Sequence, residues 1–237
     1  MEFAIIAAGE GSRLREEGFK FSKPMVVLQG LTLVERLIQI FTNNNATKIH
    51  VIINEFSPEL EVHLSSITTD VPLNIVRKTT TSSLHSFYEL LPYITSDKVC
   101  VTTVDTVFNE KEFNAYIKAF SNDSLIDGSM AATSFVDDES PLYIAANIEL
   151  KITGFYDNKQ ADTLLVSGGI YCLSKNVYPV VQKAVTSGAS RMRNFQRMII
   201  SEGLNIKAYP FSKIIDIDHL SDITKAEIFL NESTLAD

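Results

Sequence analysis

The chain has 237 residues, 45% of them apolar and 21% charged, which suits one large α/β domain able to bury its own core and lies far from disordered composition. Its 29 acidic against 21 basic side chains leave a net charge of −8, which excludes a broad nucleic-acid-binding face and allows only a local basic pocket. The start carries Glu2 and a short apolar run in place of a cationic leader, and no stretch approaches membrane-spanning length, so a cytoplasmic protein with no membrane partner is expected.

Phe3 to Ala8 reads as a buried strand that stops at Gly9-Glu10-Gly11-Ser12-Arg13, and a polar loop then leads to Lys23-Pro24-Met25. Glycines after a strand let backbone N–H groups approach an anion, while Arg13 and Lys23 add charge that a phosphate chain can use. A dinucleotide loop would continue to a third glycine and open a helix directly; here Arg13-Leu14-Arg15 and two glutamates follow. Leu31 to Asn44 has Leu33, Val34, Leu37, Ile38 and Phe41 at helical spacing, with Thr32 and Glu35 as a capping box. Lys48 to Ile53 and Leu73 to Val76 read as strands, and a short helix starts at Ser57-Pro58-Glu59. The hydroxyl-rich segment Lys78 to Ser83 precedes an amphipathic helix carrying Leu84, Phe87, Leu91 and Ile94, so Ser82 and Ser83 read equally as helix caps or as ligand contacts. Val99 to Val104 is a further strand; it delivers Asp105, a carboxylate that burial disfavours unless a cation or hydrogen bonds await it. Asn109 then caps a helix to Phe120. Strands alternating with helices imply a mostly parallel sheet covered on both faces, with ligands at the carboxyl ends of the strands.

From Ser129 the pattern changes. Met130 to Val136, Tyr143 to Ile148, Lys151 to Phe155 and Leu164 to Cys172 are strand-like and separated by polar turns, which mixes antiparallel strands into the sheet. Tyr178 to Ser187 and Arg191 to Glu202 look helical, and Arg191 and Arg193 sit at a helix start, an unfavourable end for cations unless an anion is bound there. Ile206 to Phe211 and Lys213 to Ile217 are strand-like; in the second, Asp216 and Asp218 alternate with isoleucines and share one face, where they repel unless something positive lies near. Cys100 and Cys172 lie in apolar runs as reduced, inert thiols, and four scattered histidines with no C-x-x-C spacing suggest no zinc site.

Ala7-Ala8-Gly9-x-Gly11-Ser12-Arg13-Leu14 followed by Lys23-Pro24-Met25 resembles the start of the sugar-1-phosphate nucleotidylyltransferases, within the nucleotide-diphospho-sugar transferase superfamily. That resemblance implies a three-layer α/β/α Rossmann-like mixed sheet forming one domain over residues 1–237, with a nucleotide-binding half to about 125 and an acceptor-binding half from about 126. It implies a magnesium-dependent enzyme that moves a nucleoside monophosphate from a nucleoside triphosphate to a sugar 1-phosphate or similar phosphorylated acceptor and releases pyrophosphate. On matching positions, Ala7, Ala8, Gly9, Gly11, Ser12 and Arg13 bind nucleotide, as do Ser82 and Ser83, and Arg13, Lys23 and Asp105 are catalytic. Asp105 and one of the aspartates of the Ile215 to Asp218 segment hold the metal; Asp218 is favoured and Asp216 is the alternative. Asp157-Asn158-Lys159 and Val166-Ser167-Gly168-Gly169-Ile170-Tyr171 are similar to segments around the sugar phosphate, which puts Lys159 and Gly169 on the acceptor, with a solvated turn lysine the alternative for Lys159; Arg193, at its helix start, is a further candidate for the acceptor phosphate. No left-handed repeat domain is expected after this domain. Two rivals stay open: a non-catalytic nucleotide-binding regulatory domain, and a glycosyltransferase of the same superfamily, for which a D-x-D would be expected where Asp105-Thr106-Val107 stands.

Overall fold

A computed structural model describes residues 1–235. Strand β1 (Glu2–Ala7) is buried on both faces, with Phe3, Ile5 and Ala7 in one core and Ala4 and Ile6 in the other. This two-sided burial is why its sequence is a continuous apolar run without alternation. The glycine turn and short helix α1 (Ser12–Glu16) follow. Next, β2 (Val27–Leu28) and β3 (Leu31–Thr32) pair as a hairpin whose two turn residues, Gln29 and Gly30, both have positive φ, as a two-residue turn with matching twist requires. The expected helix therefore begins at Leu33 as α2 (Leu33–Asn43): Thr32 is its cap, and both halves of the Thr32–Glu35 box are made.

The remaining elements are β4 (Ile49–Ile53), α3 (Pro58–Ser66), β5 (Leu73–Arg77), α4 (Ser83–Leu90), β6 (Lys98–Thr103), β7 (Thr106–Phe108), α5 (Glu110–Asn122), β8 (Gly128–Thr133), β9 (Tyr143–Ala146), β10 (Ile152–Tyr156), β11 (Leu165–Ser174), α6 (Tyr178–Thr186), α7 (Met192–Ser201), β12 (Ile206–Phe211), β13 (Ile214–Asp216) and α8 (Leu220–Leu235). Helix α4 stops short of the predicted Ile94 because Pro92 cannot donate to the helical ladder, and a 3₁₀ turn replaces the last part.

Strands β5, β4, β1 and β6 are parallel neighbours. β11 then runs antiparallel to β6, β8 antiparallel to β11, and β12 parallel to β8, while the β9–β10 hairpin meets the start of β11. Apolar faces of α2, α5 and α8 fill one core, and those of α4, α6 and α7 fill the other, giving the expected three-layer mixed sheet. Cys100 and Cys172 face each other across β6 and β11 as fully buried free thiols. No helix among the described residues is long and apolar enough to cross a membrane.

Two buried polar arrangements hold the sheet. Tyr116 of α5 inserts its phenol between β8 and β11, donating to the Ser129 carbonyl at 2.5 Å and accepting from the Cys172 amide at 2.9 Å. Tyr116→Phe strands both backbone groups, so urea denaturation should show a loss of about 1–3 kcal/mol. At the opposite end of the sheet from the glycine turn, Asn74 donates to His50 Nδ1 at 3.1 Å, which leaves Nε2 carrying the hydrogen directed at Glu2 Oε2, 3.0 Å away. Burial lowers the His50 pKa from its ordinary 6.5. Burial alone would raise Glu2, but hydrogen bonds from Thr95 and His50 outweigh it and hold the carboxyl below 4.5. Both groups bind protons more readily in the unfolded chain, so stability should be complete above about pH 6.5 and fall as pH drops below it. His50→Gln should shrink the fall in the urea midpoint between about pH 7 and 5.

Candidate active site

The carboxyl ends of β1, β4, β5 and β6 open into a cavity of about 560 Å³. Its floor is the Gly9 to Arg13 loop. Gly11 has φ +60°, and a Cβ there would stand 3.0 Å from Lys23 Cβ, so glycine is what lets the Lys23 segment close against the loop. Lys23 opens a 3₁₀ turn with Pro24, and its ammonium donates to Asp105 Oδ2 at 2.5 Å and to Asp218 Oδ1 at 2.7 Å. Arg13 reaches the other oxygen of Asp218, at 2.7 Å.

These groups are far apart in the chain, and backbone pairing brings them together. β7 leaves the end of β6 and pairs antiparallel with β13, setting Asp216 opposite Thr106, and the Ile217 amide donates to the Asp105 carbonyl at 3.1 Å. The loop after Arg13 is tied down by Glu17, which accepts from the Leu220 amide at 2.7 Å and pairs with His219 at 2.5 Å. That contact turns Glu17 away from the cavity and gives His219 its structural role.

Burial would favour neutral Lys23, but Asp105 and Asp218 outweigh it and lift its pKa well above the usual range. Asp105 behaves in mirror image: burial raises it, while Lys23 and a hydrogen bond from Thr103 bring it below 3.8. Burial first, and then the charge of Asp105, push Asp216 up to about 7. Among the described residues its Oδ1 is one of a few buried side-chain atoms without a hydrogen-bond partner. Asp105 and Asp218 therefore share one ammonium, Arg13 holds the far oxygen of Asp218, and Asp216 brings an orphaned carboxyl oxygen to the same space. This donor set fits a hard divalent cation such as magnesium, although among the described residues no group of three acidic, His or Cys side chains already has metal-holding geometry.

A second cavity, of about 310 Å³, adjoins the first. Ser82, Ser83, Asp105 and Asp218 line both, so the carboxylates stand on the boundary between two chambers. Ala8, Gly9, Gly11, Ser12, Arg13 and Lys23 line the first chamber, and Ala7 is buried within β1. Ser82 caps α4, accepting from the His85 amide at 3.4 Å, and still lines the cavity, so both of its readings apply. Gly169 and Arg193 line the second chamber together with Asp216. Asp216 ends β13 and Asp218 lies just beyond it, a shorter strand than Lys213 to Ile217, yet both face the same space. Lys159 is different: it stands on the exposed turn after β10 and lines neither chamber, while Asp157 pairs with Arg193 at 2.6 Å and Arg197 at 2.7 Å.

Sequence reasoning does not single out Asn54, Thr80 and Ser86, which line the first chamber. Asn54 had a signal, since it is a buried polar residue directly after an apolar strand, as Asp105 nearly is. Its Oδ1 accepts from the Phe56 amide at 2.9 Å and the Thr79 hydroxyl at 3.2 Å. The 2.6 Å contact between Thr80 and Ser86 hydroxyls has no comparable signature in the text.

Residues 3–193 match the MobA-like NTP transferase domain. The chain belongs to that family. Along its full length it is 27% identical to the bifunctional protein GlmU of Thermodesulfovibrio yellowstonii, of which it covers 52%, so it spans about half the length of that relative. Among solved structures, the inositol-1-phosphate CTP transferase from T. maritima superposes with a TM-score of 0.82 at 20% identity, over 98% of this chain and 95% of that one. A putative glucose-1-phosphate thymidylyltransferase from Bacillus anthracis gives 0.84 at 15% identity, over 97% and 94%. The structural likenesses establish the fold, and the NTP transferase match bears out the resemblance carried by the glycine loop and the Lys23-Pro24 pair.

Proposed function

We propose that this NTP transferase domain moves a nucleoside monophosphate from a nucleoside triphosphate to a sugar 1-phosphate or similar phosphorylated acceptor, with magnesium, and releases pyrophosphate. The observation that supports the reading most is the bridge from Lys23 to both Asp105 and Asp218 on the wall shared by two chambers. One chamber carries the glycine loop and Arg13, and the other carries Gly169 and Arg193, so a donor and an acceptor placed in them would meet at the carboxylates.

The chemical difficulty is that one anion must approach another, and fixed positive charge and alignment answer it. Loop amides of Gly9 to Ser12 and the Arg13 guanidinium would hold the leaving pyrophosphate. Lys23 would offset charge at the phosphorus under attack. Asp105 and Asp218, with Asp216 beside them, would hold magnesium, which when bound neutralises phosphate charge. Arg193 is fixed by Asp157 and by the Ser140 carbonyl, 2.9 Å away, and would meet the acceptor phosphate. No covalent nucleophile is needed. Such an enzyme would work in the cytoplasm, where nucleoside triphosphates are supplied.

The test mixes the protein with magnesium, each of ATP, CTP, GTP, UTP and dTTP, and glucose 1-phosphate or inositol 1-phosphate, and follows pyrophosphate. Release that requires metal, nucleotide and acceptor together supports the reading. Silence across the panel, with no metal-dependent nucleotide binding, would remove it.

A further inference from the structure

We propose that Gln196, through its amide oxygen, reads a hydroxyl group of the acceptor. Gln196 lies on α7, three residues after Arg193, so the two share a helix face and line the same chamber. It is only 2% exposed. Its Nε2 donates to Ser167 Oγ at 2.9 Å and lies 3.6 Å from Met130 Sδ. A thioether sulfur has no hydrogen to give, so the end of the amide against it is the NH₂ group and the carbonyl oxygen points elsewhere. That oxygen has no protein donor among the described residues. It is not one of the buried unpartnered side-chain atoms, so it meets the open space of the chamber, where a ligand hydroxyl can donate to it.

The neighbours define what the ligand should carry. Ser167 Oγ accepts from Gln196, and the Tyr171 phenol lies close to that serine. Tyr171 lines the same chamber. The wall thus offers one acceptor, Gln196 Oε1, and one donor, the Tyr171 hydroxyl, and a hydroxyl group can satisfy both. An acceptor bearing a quaternary ammonium and no hydroxyl could use neither.

The inference rests on the second chamber being the acceptor site, as proposed above, but its test measures binding separately from turnover. Wild type and Gln196→Leu are titrated by calorimetry with glucose 1-phosphate, inositol 1-phosphate and choline phosphate, and with monodeoxy analogues of the sugar phosphate that binds. The variant is expected to bind the hydroxylated probes about tenfold more weakly, while nucleotide affinity is unchanged. One deoxy analogue should bind both proteins equally and so identify the hydroxyl. In turnover, the loss should appear in the KM for acceptor and not in kcat. Gln196→Met, closer in shape, carries the same test should the leucine variant fold poorly. Equal affinity of wild type and variant for the hydroxylated probes, binding of choline phosphate alone, or binding of none of the probes would overturn the assignment. Discrimination in binding without pyrophosphate formation would keep it and remove the transfer reaction instead.

Discussion

Lys23→Met should lower turnover by about 10²–10³-fold, the effect of removing a fixed charge from a site where charge develops. The nucleotide KM should move much less, because Arg13 and the loop amides stay in place. The same substitution has a structural cost. Lys23 holds Asp105 and Asp218 together, and without it these two and Asp216 face one another with Arg13 as the nearest remaining cation. Stability should fall by on the order of 1–3 kcal/mol, since breaking a largely buried ion pair leaves uncompensated charge. Steady-state kinetics and urea denaturation on one preparation separate the two losses. A variant that keeps wild-type turnover would take Lys23 out of the chemistry.

Asp105→Asn should cost a similar factor in turnover, about 10²–10³-fold, for the complementary reason. Asparagine keeps the shape and its carbonyl oxygen can still accept from Lys23, so the melting temperature should remain within a few degrees of wild type. It removes the charge that would hold a divalent cation. Mn²⁺ binding in the presence of nucleotide, followed by electron paramagnetic resonance, should weaken in parallel with turnover. Loss of turnover with undiminished metal binding would assign Asp105 another role.

The parts of the fold most legible in the sequence are those where one local rule decides. The run from Phe3 to Ala8, the Thr32–Glu35 box and the alternation of strands and helices to Phe120 all appear where local pattern places them. The boundaries that moved did so for local reasons as well: Thr32 acts as a cap outside α2, and Pro92 ends α4. Within the candidate site, the glycine loop, Lys23 and Asp105 are legible because they follow strands or sit in a recognisable spacing. What is not legible depends on partners distant in the chain. Asp216 and Asp218 join Asp105 through the β7–β13 pairing, which no local pattern reveals. Gln196 reads as an ordinary polar position on an amphipathic helix until the turn of β11 brings Ser167 beneath it. Lys159 shows the opposite failure: an acidic residue two positions before a lysine suggests a pair, but Asp157 faces the arginines of α7.

The central claim, that loop, lysine and aspartates act on one phosphorus, is tested most directly by following the label from nucleoside triphosphate carrying ³²P at the α position, with magnesium and the accepted sugar or polyol phosphate. The α label should appear in a product that also contains the acceptor, and a γ label should leave in pyrophosphate. Release of the γ label as orthophosphate, with the α label left in a free nucleotide, would contradict the account.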